Sequence, residues 1–93
     1  MIENHFYPTK VPGVHVSESD GHIMLSLSGS EQAFILNQTS AMIWRLSDGL
    51  SSVEKIIRML SAGFPEAEGQ IKTDVITTLE SLKTAGVIAF PEG

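Results

Sequence analysis

Ninety-three residues, 42% of them apolar and 18% charged, suit one compact fold and lie outside the low-hydrophobicity, high-charge regime of disordered chains. Eleven acidic against six basic side chains give a net charge of -5, the wrong sign for gripping a phosphate backbone, and the lack of cysteine excludes a disulfide framework, thiolate metal sites and thiol catalysis. Met1 to Gly13 has neither the basic start nor the apolar run of a signal peptide, and no stretch nears the ~18 residues of a membrane span, so a cytoplasmic protein without membrane contact is expected.

Residues 1–12 read as a flexible N-terminal segment and 13–90 as a single domain. Val14 and Val16 alternate with His15 and Ser17 in a first strand, and Ser19, Asp20 and Gly21 supply a hairpin turn. In His22–Ser28, Ile23, Leu25 and Leu27 alternate with polar residues and Met24, so one face is buried. After a turn at Gly29, Ser30 and Glu31, Gln32–Leu36 is short, apolar and β-prone, with Phe34 and Leu36 on one face.

Helices follow. Asn37 or Thr39 caps the first, whose apolar positions include Met42, Ile43, Trp44 and Leu46 and which Asp48 and Gly49 stop. Ser51 and Glu54 form a capping box for a second carrying Val53, Ile56, Ile57 and Leu60 at helical spacing and ending at Gly63. A third runs from about Glu68 to Ala85, with Ile71, Val75, Leu79 and Leu82 on its core stripe and Gly86 as its terminator. Val87–Phe90 is an apolar tail that packs as a short strand or extended arm. The fold class is α+β: a three-stranded antiparallel meander followed by three helices, in the outline of a winged helix-turn-helix.

Catalytic chemistry is not visible. His5, His15 and His22 have no partner at metal-ligand spacing, no serine sits in a nucleophile elbow or a Ser-x-x-Lys pair, and Glu54, Glu66, Glu68, Asp74 and Glu80 read as caps and solvated faces. The protein is expected to be no enzyme and to hold no metal or cofactor. The helix-turn-helix outline invites a nucleic-acid-binding regulator, but Lys72 and Lys83 on the third helix are offset by Asp74 and Glu80, so nucleic acid is not an expected partner.

Two surfaces stand out instead. The strand Gln32–Leu36 ends the meander and lacks the lysine or proline that would blunt a free edge; it either pairs with another chain or is covered by the Val87–Phe90 tail. On the third helix, Lys72, Ile76, Glu80 and Lys83 form a stripe beside the core positions; Ile76 either floors a groove among charges or widens the core stripe.

Leu36-Asn37-Gln38-Thr39, the Ile43-Trp44 pair, Asp48-Gly49, Ser52-Val53-Glu54-Lys55-Ile56, Asp74-Val75, Leu79, Leu82 and Gly86-Val87-Ile88 together resemble the PqqD family of pyrroloquinoline quinone biosynthesis, whose fold recurs as the RiPP recognition element. The resemblance covers roughly residues 13–88 and is carried by scaffold positions. It implies a non-enzymatic adaptor that binds the leader region of a ribosomally made precursor peptide and presents it to a modifying enzyme such as a radical-SAM protein. In that family the leader adds a strand antiparallel to the third strand, in a cleft closed by the third helix. Carried over residue by residue, the peptide-binding positions are Gln32, Ala33, Phe34, Ile35, Leu36, Lys72, Ile76, Leu79, Glu80 and Lys83, with Phe34, Ile76 and Leu79 as apolar walls and Lys72 and Lys83 as partners for acidic leader residues. A homodimer or structural subunit pairing through the same edge is the other binding role the sequence allows.

Overall fold

The computed structural model describes residues 2–20, 22–27, 29, 31 and 33–91. Strand β1 (Thr9–Lys10) precedes a meander of β2 (Val14–Ser19), β3 (His22–Leu27) and β4 (Ala33–Leu36). Helices α1 (Gln38–Leu46), α2 (Val53–Gly63) and α3 (Glu68–Ala85) follow, and β5 (Ile88–Ala89) ends the order. The expected α+β architecture is therefore present. The meander is antiparallel with β3 central, Val16 opposite Leu25 and Leu25 opposite Phe34. Asp20 takes a positive φ of 52° in the β2–β3 turn, as an Asp-Gly turn requires; Gly21 itself lies outside the described residues.

Period two places Ile23, Leu25 and Leu36 on the inner face, where they meet Ile43, Trp44, Val53, Ile56 and the α3 stripe of Ile71, Val75, Leu79 and Leu82. Asn37 caps α1: its Oδ1 accepts from the Ser40 backbone N–H and hydroxyl, both at 2.8 Å. The cap of α2 differs from expectation. Ser52, one residue later than the anticipated Ser51, accepts from the Lys55 N–H at 3.1 Å, while Ser51 is buried. Gly86 takes φ 83° after α3 and donates to the Lys83 carbonyl while Val87 donates to Leu82, a Schellman closure that turns the chain sharply and drives Val87 into the core.

The N-terminal segment packs onto the domain. Ile2, Phe6 and Pro8 are buried, and Phe6 lies 6.0 Å from the Phe90 ring. Its carbonyls complete the start of α2: Val53 N–H donates to Phe6 O at 2.9 Å and Glu54 N–H to Asn4 O at 3.0 Å, so with the Ser52 cap the first three helical donors are all paired. These donors have no intrahelical acceptor in any α-helix, which is why an ordered strand of backbone is worth keeping there. Farther on, Thr9 pairs with Ala89 and Lys10 with Ile88, antiparallel. Lys10 sits with its ammonium 5.0 Å from the Trp44 ring, and burial pushes its pKa below the usual lysine range against the opposing pull of Asp48.

Candidate functional site

The β1–β5 pairing decides how the meander ends. With Ile88–Ala89 held against Thr9–Lys10, the C-terminal tail does not cover β4, which among the described residues pairs with β3 alone. In an antiparallel ladder alternate residues turn their N–H and C=O toward opposite neighbours, so every second residue of β4 presents its polar backbone groups away from β3. Inner-face Phe34 is half-buried and Leu36 buried, whereas outer-face Ile35 is 70% exposed beside its cross-strand partner Met24.

Beside this edge runs a groove of about 410 Å³ between β4, the start of α1 and one face of α3. Phe34, Leu36, Leu82 and Ala85 supply its apolar surface, and Ser40, Thr77, Thr78 and Ser81 line it with hydroxyls. It continues at one end into a hollow bounded by Asn37, Thr39, Gln70 and Asp74, and at the other into one bounded by Glu80 and Thr84. The strand and helix run in opposite directions along it, because Phe34 shares the Glu80 end while Leu36 and Ser40 approach Thr78 and the Asp74 end.

The expected β-edge residues Ala33, Phe34, Ile35 and Leu36 all line the groove; Gln32 lies outside the described residues. The expected helix stripe does not. At about 100° per residue, Lys72, Ile76, Glu80 and Lys83 fall about 60–140° to one side of Val75, whereas Asp74, Thr77, Thr78, Ser81 and Ala85 fall about 60–160° to the other. Only Glu80, at the far edge of its stripe, reaches the groove's end, beside Phe34 and Ser81. Ile76 packs on the core as the wider-stripe alternative supposed, and Leu79 is fully buried, so neither walls the groove. Lys72 is exposed on the opposite flank, and Lys83 holds its ammonium 5.9 Å from the Phe90 ring centroid. The hydroxyl row was legible as Thr77, Thr78 and Ser81 at i, i+1 and i+4, but nothing in the sequence marked it as the flank facing β4.

Among the described residues no cluster of three or more histidines, cysteines or carboxylates is arranged to hold a metal ion, and no helix is long and apolar enough to cross a membrane. Likewise none of the described buried side-chain nitrogen or oxygen atoms lacks a hydrogen-bond partner. What the site offers is a length of unpaired backbone beside a partly apolar, hydroxyl-lined trough, an arrangement that receives extended chain.

Comparison with known proteins bears on this arrangement. A family model described as coenzyme PQQ synthesis protein D (PqqD) matches residues 21–88. Among solved structures, TbiB1 in complex with the TbiA(beta) leader peptide has the same fold, with a TM-score of 0.74 at 18% identity over 86% of this chain and 93% of that one. No curated protein sequence matches.

Proposed function

The chain belongs to the PqqD family, and from that premise we propose that it is an adaptor without catalytic chemistry of its own. It captures the leader region of a ribosomally made precursor peptide by strand addition to β4 and presents it, in the cytoplasm, to a peptide-modifying enzyme such as a radical-SAM protein. The pathway is that of pyrroloquinoline quinone or a related modified peptide. The observation that carries this reading is the unpaired β4 edge lying along the groove, with the chain's own tail engaged elsewhere. TbiB1, which shares the fold, is complexed with a leader peptide.

Main-chain bonds at about 1 kcal/mol net each would hold the strand without reading its sequence, and side chains dropping toward Phe34 and Leu36 would provide selection. An incoming strand antiparallel to β4 has a fixed polarity. Its N-terminal end lies beside Leu36 and Asp74, and its C-terminal end leaves past Phe34, Glu80 and Thr84, so the part of the precursor to be modified emerges near the end of α3.

Titration with the leader of a precursor encoded beside this gene tests the reading. Amide shifts are expected to concentrate on Ala33–Leu36 and on Asp74–Ala85; shifts confined to the α1–α2 surface, or none, would remove strand addition. If β4 pairs with a second copy instead, light scattering will show mass rising with protein concentration and the leader will compete with that rise.

A further inference from the structure

Resting on strand addition at β4, we infer that the groove selects a leader segment carrying a basic residue near each end of the added strand, with small apolar side chains between them. This is the reverse of the acidic leader expected from Lys72 and Lys83. The reason is the distribution of charge over the elements that line the groove. Strand β4 and the start of α1 contribute no charged side chain to it, and α3 contributes two carboxylates, Asp74 at one end and Glu80 at the other. Asp74 accepts from Gln70 Nε2 at 3.2 Å, and among the described residues neither carboxylate has an ion-pair partner.

Lys83 shares a hollow with Glu80, Thr84 and Ile2 and holds its ammonium 5.9 Å from the Phe90 ring centroid. Lys72 borders none of the three connected hollows. A strand laid here thus passes from one carboxylate to another, neither in an ion pair among the described residues, over a floor of Phe34, Leu36, Leu82 and Ala85. Glu80 follows Asp74 by six positions, about 9 Å along the helix axis. At about 3.4 Å per strand residue that distance is just under three residues, and side chains share a strand face only at even spacing, so two basic side chains about four positions apart, each inclining inward by about 2 Å, serve Asp74 and Glu80 with one same-face side chain between them.

The experiment compares two blocked synthetic peptides of about nine residues, valine alternating with threonine, one with lysine and the other with glutamate at two same-face sites about four positions apart. Each is titrated into the full chain and into the Asp74→Asn, Glu80→Gln double variant, whose near-isosteric changes preserve the Gln70 contact and are checked by thermal melting. The lysine peptide is expected to bind about 10-fold more tightly than its glutamate twin at low salt, falling to about 2-fold at high salt, and the double variant is expected to lose the preference. Equal affinities, or a preference that survives in the double variant, would overturn the charge selection while leaving strand addition intact. A precursor leader that shifts β4 amides when the lysine peptide does not would also overturn it. If neither the leader nor either peptide shifts β4, strand addition itself falls.

Discussion

Phe6→Ala is expected to lower the stability of the chain by about 3–5 kcal/mol, the usual cost of emptying a buried aromatic site. Deleting residues 2–7 is expected to unfold it at ordinary temperature. Phe6 is 7% exposed and its ring packs against Phe90, so its loss opens a cavity between the first and last segments. The deletion goes further, removing Ile2 from the core and the Asn4 and Phe6 carbonyls from the start of α2, which leaves the Val53 and Glu54 donors unpaired. Against a total of roughly 5–15 kcal/mol for a domain of this size, that sum is decisive. Urea unfolding followed by circular dichroism measures it. A shift under about 1 kcal/mol for Phe6→Ala would mean that the arm is not held as described.

The second large effect concerns binding. Ser81 is exposed on α3 and faces the groove from its middle. Ser81→Trp puts an indole where the added strand would lie, and leader affinity is expected to fall at least about 30-fold, or roughly 2 kcal/mol, with the melting temperature little changed. Lys72→Ala, on the other flank of the same helix, is expected to leave affinity within about 2-fold. Isothermal titration of the two variants side by side separates the flanks. Loss of binding in Lys72→Ala with retention in Ser81→Trp would restore the charged stripe as the site.

This contrast also marks how far the sequence could be read. Period two in Ile23, Leu25 and Leu27 and the spacing of Ile71, Val75, Leu79 and Leu82 located the sheet face and the core side of α3, because both patterns register burial directly. A core stripe has two flanks, however, and the one that faces β4 depends on how α3 crosses the sheet, which no local pattern encodes. Lys72, Ile76, Glu80 and Lys83 looked like a groove because charge around an isolated isoleucine is conspicuous. The α3 residues that line the groove beside β4, Thr77, Thr78, Ser81 and Ala85, are small and neutral and resemble any solvated helix face. Ile2, Phe6 and Pro8 escaped for a related reason: their apolar side chains follow neither helical nor strand period, so their burial became visible only with the partners they meet. Ser51 and Ser52 differ by one position, and the cap fell to Ser52 because Ser51 is drawn into the interior.

The antiparallel pairing of Thr9–Lys10 with Ile88–Ala89 joins segments separated by nearly the whole chain. Closing so long a loop costs entropy that is repaid only after the helices between have formed, so this clasp belongs to the final step of folding. Weakening it should then act almost wholly on the escape rate: in a chevron, Phe6→Ala is expected to raise the unfolding limb and leave the refolding limb nearly where it was. The lifetime of the native state, more than the speed of reaching it, is set by this clasp.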